Sequence, residues 1–497
     1  MNPIKQLFGQ TAVYGMGIVL PRLLNYLILT PFYTRIFKAS EYGVITELYA
    51  YVVFLLVVLT YGMETGFFRF ASKNNHNSKA VYTSVLSSVL ITSFVFVIII
   101  LFLNNSIAGS LGYSEYPMYI RWLAMIVAID AFTSIPFARI RLLNKPLKYA
   151  LIRIIEVTVN IGLNGFFLLY CSRNTEIPWV AKIYDPSIGV GYVLISNLTA
   201  SVLKLILLSG ELFAALRGYI DKKLLIKILK YSYPLLIAGL AGTVNEALDR
   251  VLLKHLIDPS NDPMAQLGIY GANYKIAVLM TLYVQMFKYA AEPFFFSKSE
   301  RRNAKSLYAD VMMFFMIPGL LIFLIVMLYI DYFKLFIGID FREGVGIVPV
   351  ILLANLVMGM FFNLSIWYKL TNRTLTGAFL VTLGALITIF INITFVPRFG
   401  YYASAWGHLI CYTVMVILSY LLSRKHFKIP YDFGRILLYI VIIVLFYLGE
   451  KYVPIQSDAL RHLIKILMVF TAVFMFYFGE KKRFIKYRNN NESSYVR

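Results

Sequence analysis

The chain has 497 residues, 59% of them hydrophobic and 14% charged, with a mean hydropathy of +0.71. Soluble domains hold about 45–50% apolar residues, so this composition excludes a soluble protein and predicts an integral membrane protein. The net charge of +22 would suggest nucleic-acid binding in a soluble chain. In a membrane protein the net charge is explained by basic residues in the loops on one side of the membrane. We therefore expect no nucleic-acid partner.

Many stretches of the chain are long and apolar enough to cross a bilayer, which takes about 20 predominantly apolar residues. We predict an all-α polytopic membrane protein with about fourteen transmembrane helices. In chain order they lie near 10–34, 43–68, 80–103, 118–138, 148–171, 187–209, 231–254, 267–291, 307–330, 346–368, 375–396, 402–423, 434–449 and 460–478. The stretch at 434–449 is the shortest, and the longest polar connection runs from Leu216 to Lys230.

Basic residues alternate between the two sides of the predicted helices. Lys and Arg accumulate in short cytoplasmic loops, and every second loop of this chain is rich in them, for example 217–230 and 424–435. The loop at 104–117 has none, and the loop at 257–266 carries Asp258 and Asp262 instead. This alternation predicts an even number of spans with both termini in the cytoplasm.

The second half of the chain repeats the first. Segment 77–86 aligns without gaps on 303–312 at an offset of 226 residues, and similar offsets pair Gly43 with Gly268, Asn144 with Asn372, and Asn164 with Asn392. An offset that contains six helices predicts two six-helix lobes related by a pseudo-two-fold axis along the membrane normal. We place the lobes at 1–216 and 217–426, followed by two extra helices and a basic tail at 427–497.

Ionisable residues lie inside the apolar stretches of the first lobe, where they are costly and usually face a cavity or a partner. The first helix carries Arg22 and Asn25 next to Pro21, so that a cation and an amide share one face near the membrane middle. The fifth helix carries Arg153 and Glu156, at a spacing that also allows a local ion pair. Asn164 lies on the same face of this helix, and we expect its side chain to join two helices.

The first two helices of the second lobe, within 231–300, hold the densest group of such charges. Glu246, Asp249 and Arg250 lie on one helix and Lys275 on the next. The sequence predicts a substrate or ion path here. Intrahelical pairing of Glu246 with Arg250 is an alternative for part of the group, whereas Arg22 and Lys275 have no acidic residue within a turn of their own helix.

Other polar residues favour simpler roles. Glu64, Arg69 and three lysines lie near the predicted cytoplasmic ends, where long side chains can reach the interface; the lysines are Lys204, Lys288 and Lys369. His408 is expected to be a hydrogen-bonded packing residue, and Cys171 and Cys411 are assigned no role. The chain has no G-x-x-x-x-G-K-[ST] loop and no metal-binding spacing, so we expect no cofactor and no metal.

Residues 22–70, from R-L-L-N-Y to F-F-R-F, carry a resemblance to a known family. This pattern of apolar, glycine and charged positions resembles the N-terminal region of the polysaccharide transporter family. These are the Wzx-type flippases of lipid-linked oligosaccharides, within the multidrug/oligosaccharidyl-lipid/polysaccharide exporter superfamily. The span number and the repeat also fit, while the pattern contains no catalytic motif.

The resemblance implies a two-lobed flippase of the bacterial cytoplasmic (inner) membrane. It would carry undecaprenyl-pyrophosphate-linked oligosaccharide repeat units from the inner to the outer leaflet, by alternating access, for O-antigen or capsule synthesis. The candidate substrate-binding residues are Arg22, Asn25, Arg250, Lys275 and Arg153, and the candidates for a coupling H⁺ or Na⁺ are Glu246, Asp249 and Glu156. Membrane lipids, a polysaccharide polymerase and chain-length proteins are the other implied partners.

Four alternatives stay open at this point. A cation-coupled multidrug exporter or a lipid II flippase would share the superfamily, and more acids than bases in the cavity would favour the exporter. A membrane glycosyltransferase or polymerase would need a large extramembrane loop or a D-x-D pair, which the chain lacks. A scaffold of the assembly complex would have little reason to keep Arg22 and Lys275 in the membrane middle. We therefore predict a transporter and not an enzyme.

Overall fold

The computed structural model describes residues 3–72, 77–216, 218–297, 304–452 and 457–492. Within these ranges the side chains of 3–19, 289–290, 292–293, 296–297, 482 and 484–492 are not described. Across these ranges the secondary structure is helical, without a strand. The all-α prediction is confirmed.

The described residues form twenty α-helices. The first ten are α1 (Pro3–Ile36), α2 (Ala39–Thr60), α3 (Met63–Ala71), α4 (Ser78–Ser110), α5 (Pro117–Leu142), α6 (Pro146–Gly165), α7 (Pro178–Ile183), α8 (Gly191–Leu207), α9 (Ser209–Ala215) and α10 (Lys222–Leu256). The others are α11 (Pro263–Ile276), α12 (Val278–Ser297), α13 (Ala304–Leu328), α14 (Ile330–Phe333), α15 (Val348–Leu364), α16 (Ile366–Leu370), α17 (Thr374–Phe399), α18 (Tyr401–His426), α19 (Phe433–Tyr452) and α20 (Asp458–Glu492). A π-helical turn, Phe166–Cys171, extends α6.

Most of these helices are long and apolar enough to cross a membrane. Among the described residues, eleven qualify, or twelve if the bent pair α8 and α9 forms one span. The two remaining predicted spans correspond to α1, whose first side chains are not described, and to α11 with α12, which are separated by a break at Ala277. The protein is therefore a multi-pass membrane protein.

Several helix bounds agree between positions that the predicted repeat aligns. α4 and α13 begin at Ser78 and Ala304, 226 residues apart, and α6 with its π-helical turn has the same length as α17. The residues before α6 and α17 adopt the same unusual backbone, with φ of 52° at Asn144 and 56° at Asn372. A left-handed asparagine is uncommon, so its occurrence at two equivalent turns supports the alignment.

Equivalent asparagines also make equivalent hydrogen bonds. Asn164 Nδ2 donates to the carbonyl of Asn160 at 2.8 Å, and Asn392 Nδ2 donates to the carbonyl of Thr388 at 2.8 Å. Both asparagine side chains are fully buried. The pattern satisfies polar groups that would otherwise be costly inside apolar helices.

The chain divides into two compact units, whose boundaries differ from those of the predicted lobes. Unit 1 comprises Met1–Ala272, Gly338–Phe341 and Ala385–Ser404, and unit 2 comprises Asn273–Ile337, Arg342–Gly384 and Ala405–Arg497. α10 lies in unit 1 because it packs on α2 and α3. The lobe boundaries at 216 and 426 stay a prediction about the repeat.

The amino-terminal turns of α10 differ from the prediction. The sequence favours a polar connection up to Lys230, but α10 begins at Lys222, where the Asp221 carboxylate accepts a hydrogen bond from the backbone of Leu224 at 3.0 Å. Leu224 and Ile228 then join the hydrophobic core of unit 1, while the lysines of these turns stay exposed. That part of the prediction is wrong because the apolar residues recur at a helical spacing within the basic run.

Two glycines at equivalent positions of the repeat meet in unit 1, where α2 crosses α11. A methyl group on Gly43 would overlap the carbonyl oxygen of Met264, and one on Gly268 would overlap that of Ala39 and approach the nitrogen of Gly43. Only glycine allows two backbones to come this close. Two positions that the predicted repeat aligns therefore lie in contact at this crossing.

In unit 2 the last two helices are held by ion pairs at both of their ends. At one end Arg483 of α20 pairs with Asp310 of α13 at 3.1 Å and with Glu480, which also accepts from Tyr439 of α19. At the other end Lys465 of α20 pairs with Glu450 of α19 at 3.1 Å. The segment after residue 426 thus belongs to the packed structure of unit 2.

Candidate functional site

Arg22 and Asn25 lie on α1, just after Pro21, and the side chains of both are exposed. Their spacing of three residues puts them on one face of the helix, as the sequence predicts. α1 packs along α6, and Tyr33 Oη donates to Asn164 Oδ1 of α6 at 2.9 Å. The expectation that Asn164 joins two helices is confirmed.

The charged residues of α10 divide into exposed and buried positions. Glu246 is exposed and Arg250 is half-buried, whereas Asp249 is fully buried and accepts a hydrogen bond from Tyr270 Oη of α11. Asn245, also buried, accepts a hydrogen bond from Thr388 of α17 at 3.4 Å. Of the three ionisable residues, Glu246 presents its side chain most openly, while Asp249 connects α10 to α11.

Lys275 lies in unit 2, in the last turn of α11, and its side chain is exposed. Ala277 separates α11 from α12, so the span predicted as continuous over 267–291 is broken two residues after this lysine. A break in an apolar helix frees backbone groups, which are tolerated at membrane depth only where protein or a water-filled cavity covers them.

Arg153 and Glu156 form the centre of a charge cluster in unit 1. Arg153 donates to Glu156 at 3.0 Å, and its guanidinium lies 4.1 Å from the ring centre of Phe137. Glu156 also accepts from Lys204 Nζ at 2.7 Å, and Lys204 pairs with Asp130 of α5. The cluster holds two cations and two carboxylates, contributed by α5, α6 and α8.

This cluster shows that the prediction for Lys204 is wrong, and it includes Asp130, which the sequence analysis did not identify. The sequence predicts that Lys204 reaches the membrane interface, but its side chain is only 1% exposed and is held between Asp130 and Glu156. Sequence reasoning missed Asp130 altogether. The sequence did contain a signal. The polar residues of α8 are spaced four and three residues apart, at Asn197, Ser201 and Lys204, so they form a polar stripe on one face of the helix.

A second buried pair was also missed. Glu47 of α2 is fully buried and accepts from Lys254 Nζ of α10 at 3.0 Å and from Tyr51 Oη at 3.1 Å. Tyr113 Oη and the carbonyl of Leu111 complete the surroundings of the pair. Glu47 lies well inside the long apolar helix α2, and an acid at such a position is the signal that could have identified it.

His408, in unit 2, is buried against aromatic side chains. Its ring centre lies 6.2 Å from that of Tyr274 and 5.8 Å from that of Tyr412, and it is 3% exposed. The prediction of a packing role is confirmed. Across the part of the chain that the structure describes, no group of three or more His, Cys, Asp or Glu side chains could hold a metal.

The fold is that of a multi-pass membrane protein with charged side chains inside its apolar helices. The family model described as polysaccharide biosynthesis protein matches residues 8–299, more than half of the chain. The chain belongs to this family. No curated protein matches the chain in sequence.

Solved structures share the fold at low sequence identity. The inward closed conformation of the lipid II flippase MurJ aligns with a TM-score of 0.70 and 15% identity, over 94% of this chain and 99% of that one. An inward-facing multidrug resistance MATE family transporter of the MOP superfamily gives 0.66 and 14%, over 84% and 97%. The MATE multidrug transporter DinF-BH gives 0.59 and 14%, over 85% and 96%. Family and fold together support a flippase or an exporter.

Proposed function

We propose that the protein is a flippase for undecaprenyl-pyrophosphate-linked oligosaccharide repeat units. It would move them from the inner to the outer leaflet of a bacterial cytoplasmic membrane by alternating access, for O-antigen or capsule synthesis. Membership of the polysaccharide biosynthesis family supports the substrate class. The alternation of basic loops supports cytoplasmic termini, and a polymerase and chain-length proteins would act on the product.

The observation that carries the proposal is the exposure of cations on apolar helices. The side chains of Arg22 and Lys275 are exposed, although both lie within predicted spans. The exposed part of a charged side chain at this depth faces either lipid or water, and lipid costs several kcal/mol, about 2.5–3.5 on the scale with the lowest penalties. Exposure to a water-filled path avoids this cost and gives an anionic substrate access to the cations.

In this proposal Arg22, Arg250 and Lys275 are each candidates to bind the diphosphate group of the substrate during transport. Guanidinium groups present fork-like donors that match phosphate oxygens, whereas a lysine supplies a point charge. Asn25, on the same face of α1 as Arg22, adds an amide donor and acceptor for the diphosphate or the first sugar. Arg153 is already paired with Glu156, so it would contact substrate only when that pair opens.

Coupling to H⁺ or Na⁺ would use carboxylates inside the helices. Glu156 is the best placed, because Arg153 and Lys204 both depend on its charge. A proton on Glu156 would weaken both ion pairs and leave Lys204 to rely on Asp130 alone. Glu246 and Asp249 on α10 are the other candidates, Glu246 being exposed and Asp249 buried.

The decisive experiment is deletion of the gene, followed by analysis of the lipid-linked oligosaccharides. We expect repeat units linked to the carrier lipid to accumulate on the cytoplasmic face, where sugar-modifying reagents outside the cell cannot reach them. Re-expression of the wild-type chain should restore export. Normal export in the deletion strain, together with raised sensitivity to cationic drugs, would instead support the multidrug exporter as the second candidate.

A further inference from the structure

Lys204 of α8 lies between two carboxylates that come from two other helices of unit 1. Its Nζ is 2.5 Å from Oδ1 of Asp130 on α5 and 2.7 Å from Oε1 of Glu156 on α6. The same oxygen of Asp130 accepts a hydrogen bond from the hydroxyl of Ser201, one turn earlier on α8, at 3.0 Å. Carboxylate oxygens that converge on one point are the ligands that hard metal cations prefer, and here the ammonium group stands at that point.

The exposure of these side chains is the reverse of the usual arrangement. A lysine normally buries its aliphatic stem and keeps its charged head in water. Here the Lys204 side chain is 1% exposed, while the side chains of Asp130 and Glu156 are 26% and 14% exposed. The carboxylates are therefore open to their surroundings, and a free cation that reached them would find the ammonium already in contact with both.

The charges of the cluster balance without a bound ion. Arg153 pairs with Oε2 of Glu156 at 3.0 Å, while Lys204 contacts Oε1, so two cations face two carboxylates. The other titratable groups beside the cluster are the hydroxyls of Tyr149 on α6 and Tyr49 on α2, which are ordinarily neutral near pH 7. An added Na⁺ would leave an unbalanced positive charge in apolar surroundings, which is costly. Loss of the ammonium would leave an unbalanced negative charge, which attracts a cation.

We propose that the ammonium of Lys204 is a built-in cation, which occupies a site for Na⁺ formed by the carboxylates of Asp130 and Glu156. The site takes no Na⁺ while the lysine is present, and it binds Na⁺ once the ammonium is removed. Lys204 is then a residue that determines ion specificity. The consequence for coupling rests on the proposed function: this cluster can use H⁺ but not Na⁺, because a proton needs one lone pair of a carboxylate whereas Na⁺ needs the place of the ammonium.

The test measures Na⁺ binding to the purified full-length protein in uncharged detergent. Lys204→Met keeps the aliphatic stem and removes the ammonium, because the terminal methyl group of methionine reaches about as far as Cε of lysine. Its melting temperature should be higher in NaCl than in N-methyl-D-glucamine chloride of equal ionic strength. Beyond any shift of the wild type, the rise should be about 2 °C or more, as expected for a ligand at about ten times its dissociation constant. The variant should also retain more radioactive Na⁺ than the wild type does.

Asp130→Asn provides the control within the site. Added to Lys204→Met, it should abolish the gained Na⁺ binding, whereas alone it should leave the binding of the wild type unchanged. Lys223→Met, which removes an exposed lysine, should behave like the wild type. Lys204→Ser, which leaves more room for an ion, is measured beside Lys204→Met.

The lysine is only a structural partner of the two carboxylates if neither Lys204 variant gains Na⁺ binding, or if the gain survives Asp130→Asn. Failure of both Lys204 variants to fold in the presence of Na⁺ also overturns the proposal, since Na⁺ should replace the lost ammonium. These measurements involve no substrate, so a negative result leaves the flippase proposal as it stands. Normal export in the deletion strain would equally leave the ion site untouched.

Discussion

Buried charges of unit 1 occur in clusters in which each charge has a partner. Lys204 holds Asp130 and Glu156, and Lys254 holds Glu47. A buried ion pair adds little net stability over an apolar replacement, but loss of one partner leaves an uncompensated charge. The stability of these helices therefore depends on keeping each cluster complete.

Lys204→Met should lower the free energy of unfolding by about 3 kcal/mol, the lower end of the range for a broken buried pair. The lower end applies because Arg153 still pairs with Glu156, and the Asp130 side chain is 26% exposed. Thermal unfolding in detergent measures the effect. Lys223→Met, which changes an exposed lysine of α10, should be neutral. Adding Asp130→Asn to Lys204→Met, which leaves the Arg153–Glu156 pair intact, should restore most of the stability, and no recovery would contradict the charge argument.

Arg22 provides a test of substrate binding. Arg22→Ala should abolish most export, whereas Arg22→Lys should keep part of it, because a lysine preserves the charge but not the fork geometry. Loss of one charge-assisted hydrogen bond costs about 1.5–3 kcal/mol. Export of polysaccharide is measured in cells that hold equal amounts of each variant. Full activity of Arg22→Ala would refute the diphosphate role, and so would rescue by Arg22→Gln with Glu246→Gln, which would show that the arginine neutralises an acid.

At this scale the sequence predicts which residues are unusual better than it predicts their partners. The prediction that Asn164 joins helices is correct, because its amide recurs at a helical spacing with Asn160. The prediction for Lys204 is wrong because its two carboxylates come from α5 and α6, 74 and 48 positions away. Pairings of this kind depend on which helices pack together, and one sequence does not contain that information.

Among the helices, the crossing of α2 and α11 at Gly43 and Gly268 is a close backbone approach in unit 1. Each glycine faces a carbonyl of the other helix where a Cβ atom would stand. Backbone atoms cannot rotate away as side chains do, so this crossing allows no larger residue without a shift of a whole helix.

Gly43→Ala and Gly268→Ala should each destabilise the protein by about 1–3 kcal/mol or more, as overpacking does. Gly162→Ala is the control, because nothing lies within 4 Å of a Cβ atom on that residue of α6. In a helix interior this control should stabilise by up to about 1 kcal/mol. The melting temperatures of the three variants are compared. Equal values for all three would refute the close approach.

Helix existence was predictable from apolar run lengths, but some helix ends were not. Nearly every predicted span overlaps a long helix, whereas the start of α10 at Lys222 and the break at Ala277 differ from the prediction. The start of α10 at Lys222 depends on the packing of Leu224 and Ile228 against the hydrophobic core of unit 1. The second lies in apolar sequence without a proline or glycine, so no local signal marks it.

For the whole molecule, the charge pattern makes one prediction about orientation. Single cysteines placed at Ser114 and Lys223, both exposed, should lie on opposite sides of the membrane. A membrane-impermeant maleimide should label Ser114→Cys in intact cells and Lys223→Cys only after the cells are opened. Cys171 and Cys411 are buried, so the background should be low. Labelling of Lys223→Cys from outside would reverse the predicted topology.

The contact between Gly43 and Gly268 also bears on the origin of the fold. In a symmetric homodimer, a residue beside the two-fold axis touches its own copy in the partner chain. Here two equivalent residues of one chain meet in that way, as they would if a gene encoding one half had duplicated and fused. In such an ancestor a single codon would have supplied both glycines. In the fused gene each of the two codons can mutate alone, yet either change brings a side chain against the backbone of the other helix.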